Sequence, residues 1–212
     1  MNITRDIAIK VRNTVDIGLV SGLGKQVPGE MCVEAAVCYA LGLPHGDDPG
    51  CVAPALRNLK IRLNDSRWSS NKARANGLRR LAVIQLGSVG LDEQEFVRRV
   101  VEYTIRTTIP RAIRVAASII KIPEHKAAMI AAAVQCERNG DKVSTLKAKK
   151  TTSAAYAAGY AAAAAAANAA ANAAADDKRD TELSLFAEAV VQILIEMQVP
   201  GCQWLDLVEV EK

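Results

Sequence analysis

Apolar residues recur along this chain at three- and four-residue spacing with polar residues between them, the period of a helix that buries one face. In the run Gly29 to Leu41 (GEMCVEAAVCYAL), Val33, Val37 and Leu41 share a face, and Gly42 follows as a helix-ending glycine. Pro28, Pro54 and Pro123 each precede such a run, where a missing N–H costs little, and read as first-turn prolines. Asp92 and Glu95 form a capping-box pair ahead of Phe96, Val97, Val100, Val101 and Tyr103, and Pro110 kinks or breaks that helix. The run from Pro123 to Arg138 ends at Asn139-Gly140. A last amphipathic helix, 181–198, places Leu183, Phe186, Ala187, Val190, Leu194 and Met197 on one face before Pro200-Gly201 stops it. One stretch breaks the pattern: Leu59, Ile61 and Leu63 alternate with Lys60, Arg62 and Asn64, which admits a short strand at 59–63. Seven or eight helices with short connections predict an all-α fold, an irregular single-domain helical bundle over residues 1–212.

Composition sharpens this in one place. Half of the 212 residues are apolar but only 4% are aromatic, and much of the excess is alanine in Ala154 to Ala175, where every residue but five is Ala. Tyr156, Tyr160, Ala164, Asn168 and Asn172 follow one another at intervals of four, a ridge along a helix of the strongest helix former. We read 152–177 as the central helix of the bundle, its bare faces letting neighbours approach closely; the alternatives are a Tyr/Asn ridge lining a groove or pairing with a second copy. The same segment is too poor in Leu, Ile, Val and Phe, and too interrupted by Asn, to read as a membrane span. Charged residues at Asp6, Lys10, Arg12 and Asp16 argue against a secretory signal, and five scattered cysteines read as reduced thiols, so a cytoplasmic location is expected.

Charge picks out one region. The chain carries +4 overall, yet Arg57 to Arg80 alone holds eight Lys or Arg against Asp65, a net +7, leaving the remainder acidic. Arginine forks recognise phosphates and carboxylates, and an indole supplies a stacking face. The candidate ligand-binding set is Lys60, Arg62, Arg74, Arg79 and Arg80 for charge, Trp68 for stacking, and Asn64, Ser69 and Asn71 for orientation. The plainer reading is a solvated face whose arginines pair with acids elsewhere. Nucleic acid is a less favoured partner than an anionic small molecule or an acidic protein surface, because no helix-turn-helix signature is found and the charge is not strung along one helix.

Just before this stretch, HGDDP offers His45, Asp47 and Asp48 as metal ligands or an acid/base set, with Glu34 as a general base. The same Asp-Asp-Pro-Gly sequence is also ordinary turn chemistry. Other constellations fail on spacing. Cys32 and Cys38 lie about 240° apart on a helix and cannot converge with His45 and Cys51 on zinc. The loop Gly18 to Lys25 lacks the Walker spacing, with Leu19 five residues before Gly24 and Gln26 where Ser or Thr is needed. No His-Asp dipeptide and no nucleophile elbow occur, so no catalytic residue, metal or cofactor is assigned.

The strings CVEAAVCYALGLPHGDDPGCV, LRNLKIRLND, WSSNKARANGLRRLAVIQLGS, the Ala/Tyr/Asn segment and PGCQWLDL together resemble a family of uncharacterised bacterial and phage proteins. The alanine-rich segment is also similar in composition to immunity proteins of bacterial toxin systems. The resemblance implies an accessory protein of bacterial conflict or phage biology and transfers no activity. The expectation is therefore a non-enzymatic helical protein that recognises an anionic partner through 57–80. A metal-assisted hydrolase at His45, Asp47 and Asp48, and a homo-oligomer packed through the alanine helix, are the alternatives.

Overall fold

The computed structural model describes residues 2–141, 143–144, 146, 149–150 and 168–209. Among these the fold is all-helical, with eight α-helices and no strand. The chain divides into two compact units, residues 1–97 with 176–212, and residues 98–175.

The first unit begins with α1 (Arg5–Ile17), capped by the Thr4 hydroxyl, which accepts from the Ile7 N–H at 3.4 Å. Val11 and Val15, four apart on one face, are fully buried. Helix α2 (Val33–Leu41) is buried on nearly every side, which is why its sequence, Glu34 apart, is apolar all round rather than amphipathic. The helix predicted from Gly29 starts four residues later. Gly29 has φ +90° and Met31 bridges back to Gly24, so the Pro28 segment is a turn and Cys32 is the cap, its sulfur accepting from the Ala35 N–H at 3.3 Å. The turn needs Gly24 itself: at φ +71° a Cβ there would overlap the Glu30 carbonyl oxygen.

Helix α3 (Pro54–Asn64) absorbs the segment expected to admit a strand. Burial there follows a helical repeat, with Leu56, Lys60, Leu63 and Asn64 inside, while Leu59 and Ile61 are half-buried. The alternation was misleading because Lys60 and Asn64 are core residues; counting them as polar disguised the 3.6 period. Helix α4 (Asn71–Ile84) is capped by Ser70, and a single 3-10 turn (Ser88–Gly90) leads to α5 (Glu93–Tyr103). The Asp92 cap is as expected: its carboxylate accepts from the Glu95 N–H at 3.0 Å. Leu56, Leu78, Leu81, Ile84, Phe96 and Leu194 anchor this unit's core.

In the second unit, a π-helical stretch (Thr104–Thr108) joins α5 to α6 (Ile109–Ser118). Pro110 does not break the helix: residues 93–118 are helical without interruption, and the irregularity expected at Pro110 is the π-helical stretch just before it. The proline occupies the first turn of α6, directly after the wider π turn, where Ile109 donates its N–H to Thr104 O. Helix α7 (Pro123–Asn139) ends on Gly140 in the left-handed region, as its sequence indicates. Ile113, Ala117, Met129, Ala132, Ala133 and Cys136 form a small apolar core between α6 and α7.

The last helix, α8 (Asn168–Glu196), runs without the break expected between 177 and 181. Asp176 to Asp180 reads as a polar stop, yet none of these residues opposes helix formation strongly, and the apolar stripe beyond fixes the axis. Most of the predicted alanine helix 152–177, including Tyr156 and Tyr160, lies outside the described residues. Gln198 turns the chain at φ 55°, and a 3-10 segment (Pro200–Leu207) returns to α4, where a Cβ on Gly201 would overlap the Ile84 backbone. None of the helices among the described residues is long and apolar enough to cross a membrane.

Candidate functional site

The basic stretch does not converge on one surface. Lys60 is completely buried and pairs with the equally buried Glu34 of α2 at 2.7 Å. Asn64, also fully buried, accepts from the Val33 N–H at 3.3 Å and donates to Val20 O and Asp65 Oδ1, each at 2.9 Å, so it fastens α3 to the start of α2. Arg74 spends its guanidinium on the carbonyls of Asn64 and Leu19 and on Asn71 Oδ1, at 2.8 to 3.0 Å. Trp68 packs inside and donates its indole N–H to Leu63 O at 2.9 Å. These residues hold the fold; Trp68 presents no open face for a ligand to stack on.

The more exposed cations are divided among separate acids. Arg57 pairs with Asp48, Arg79 with Asp16 at 2.6 Å, and Arg80 with Glu188. Arg62 and Arg67 are exposed on the surface. The expectation of a single basic patch thus gives way to the plainer alternative, arginines paired to distant acids, for most of the stretch. The reason is that the helical register of α3 and α4 turns successive cations to different sides.

The HGDDP segment likewise does not assemble a metal set. His45 Nε2 lies 3.1 Å from Gly24 O, Asp48 pairs with Arg57 and accepts from the Gly50 N–H at 3.2 Å, and Asp47 lines a separate small cavity of about 80 Å³ with Cys32, Asn64 and Asp65. Among the described residues, none of the groups of His, Cys, Asp and Glu has the arrangement to hold a metal ion. Glu34 faces Lys60 rather than His45. Burial pushes the Glu34 carboxyl up from its ordinary range and the Lys60 ammonium down, each partly offset by the other's charge. Burial also raises the Cys38 thiol to about 11, so this cysteine stays protonated and unreactive at neutral pH.

One member of the predicted set opens onto space large enough for a ligand. Between α4 and α8 runs a groove of about 570 Å³. Its α4 wall is Ala73, Asn76, Gly77 and Arg80; its α8 wall is Asp180, Thr181, Ser184, Leu185 and Glu188. Each set is a single helical stripe. Ser69, one residue before the α4 cap, donates its N–H to Asp180 at 2.9 Å and its hydroxyl to the other carboxylate oxygen, while Arg80 meets Glu188 at the far end. The two stripes therefore run in the same direction, with a polar clasp at each end. Gly77 sets the floor: a Cβ there would overlap the Trp68 ring and the Ser184 hydroxyl.

Within this groove Arg80 is only partly used. One terminal nitrogen meets Glu188, but Nε is buried and has no hydrogen-bond acceptor. The α8 contributors went unnoticed in the sequence because the amphipathic reading of that helix tracked its apolar face. The stripe beside it, Asp180, Ser184 and Glu188 at intervals of four, is the signal the sequence offers. Compared with family models, curated proteins and solved structures, the chain matches none.

Proposed function

We propose that this chain is a non-enzymatic binding protein that holds a small molecule by a phosphate or carboxylate group in the α4–α8 groove, with Arg80 as the principal donor. The observation that carries this reading is the buried Arg80 Nε–H without an acceptor, in a side chain that lines the groove. A buried donor left unpaired costs about 1–3 kcal/mol; because Nε is closed to solvent, a ligand oxygen would relieve that penalty once the guanidinium turns toward the groove, completing its planar fork. The groove's volume falls within the roughly 300–1,000 Å³ of small-molecule sites. Its described lining includes neither His nor Cys, the usual base and thiol of nucleophilic sites, which favours binding over chemistry.

Glu188 occupies one edge of the same guanidinium, so it competes with an incoming anion. This gives the reading a test with opposite signs. Calorimetry against inorganic phosphate, nucleoside monophosphates and simple dicarboxylates is expected to find a ligand whose affinity falls at least tenfold in Arg80→Ala and rises severalfold in Glu188→Gln. If no ligand of this kind responds to Arg80→Ala, or if Glu188→Gln weakens binding, the reading is wrong.

A further inference from the structure

We infer that the groove reads both ends of its ligand, and that the ligand is a short zwitterionic peptide of about three residues, its carboxylate on Arg80 and its ammonium on Asp180. This rests on Arg80 holding the anionic group, and adds the identity of the other end. At one end of the groove stands Arg80, its buried Nε unpartnered and one terminal nitrogen on Glu188; at the other stands Asp180, whose described hydrogen bonds come from the neutral N–H and hydroxyl of Ser69. Neutral donors leave a carboxylate further lone pairs for a cationic donor, although the Arg74 guanidinium also lies within electrostatic reach of Asp180. Glu188, by contrast, already has a cation in Arg80.

The spacing limits the ligand's length. Asp180 and Glu188 are two helical turns apart, about 12 Å along the axis, and Arg80 stands at the Glu188 end. Three extended residues span about 10 Å, so the two charged termini of a tripeptide reach both clasps once the side chains extend inward. A free amino acid is too short to touch both. Between the clasps the groove offers the Asn76 amide and the Ser184 hydroxyl, which suit peptide N–H and C=O groups, over a floor made flat by Gly77. A nucleotide would place negative charge at Arg80 but offers no ammonium for Asp180.

Triglycine, N-acetyl-triglycine and triglycine amide separate the two ends, since acetylation removes the ammonium and amidation the carboxylate. Calorimetry on the full chain is expected to find triglycine at least tenfold tighter than either derivative. In Asp180→Asn the acetylated peptide should bind within twofold of triglycine, while the preference for carboxylate over amide persists; in Arg80→Ala the pattern reverses. Ser69→Ala, which frees one Asp180 oxygen without altering charge, should keep or increase the ammonium preference, and it guards against misfolding of the Asp180 variant. Equal binding of triglycine and its acetylated form by the wild-type protein, no binding of triglycine, or an undiminished ammonium preference in Asp180→Asn would overturn the inference. If the carboxylate preference still depends on Arg80 in those cases, the anion site itself stands. If Arg80→Ala changes nothing for any anion, the underlying reading fails instead.

Discussion

Lys60 and Arg80 lie in the same basic stretch, yet one is sealed between α2 and α3 and the other borders the α4–α8 groove. Lys60 belongs to the buried stripe Leu56, Lys60, Leu63, and its charge is answered by a glutamate equally removed from water. Arg80 is about a third exposed, and its partner Glu188 nearly half. The comparison teaches that a run of positive charge specifies no surface until helical register assigns each residue a side. Removing one member of a buried pair strands the other, whereas replacing both by apolar groups does not. Lys60→Met alone is therefore expected to destabilise the protein by about 3–5 kcal/mol, and the double variant Glu34→Leu with Lys60→Met to recover most or all of that loss. Urea unfolding at constant m-value measures both. A single-variant loss below about 1 kcal/mol would mean that the pair is not what matches α2 to α3.

The same pair predicts a pH dependence of stability. The folded Glu34 holds its proton at pH values where an unfolded glutamate has released it, so stability falls as pH rises from the ordinary carboxyl range through the raised folded value. The folded Lys60 releases its proton below the ordinary lysine value of 10.5, so stability is regained as pH rises from there toward 10.5. Wild-type stability relative to the Glu34→Leu, Lys60→Met double variant should therefore pass through a minimum between the two ranges, as read from urea midpoints over pH 4 to 10. A flat difference would mean that both groups titrate in the fold as they do in the unfolded chain.

Much of the helical framework was legible because it depends on local signals: the Asp92 cap, the Gly42 and Gly140 stops, and first-turn prolines at Pro54 and Pro123. The failures share a physical cause. Lys60 and Asn64 are polar by type and core by position, so α3 looked like an alternating strand. Pro28 stands before an apolar run but belongs to a glycine-dependent turn. For the site, composition identified Arg80 and the serine beside Trp68, but not their partners. Asp180 and Glu188 are 111 and 108 residues from the groups they meet, a separation that one-dimensional spacing does not bridge.

The smallest expected effect is the most discriminating one for the groove. An ion pair as exposed as Arg80–Glu188 contributes about 0–1 kcal/mol, since water screens the attraction and two long side chains must be ordered to make it. Arg80→Ala, Glu188→Ala and the double variant should accordingly unfold within about 1 kcal/mol of the wild type, with a coupling energy in the same range from the double-mutant cycle. The tenfold loss of ligand affinity expected of Arg80→Ala corresponds to about 1.4 kcal/mol, and it would appear only in binding. A side chain whose removal leaves stability nearly intact but weakens binding is placed for the ligand. If Arg80→Ala instead costs 3 kcal/mol or more in unfolding, Arg80 holds α4 to α8 as Lys60 holds α3 to α2, and the groove is a seam of the fold.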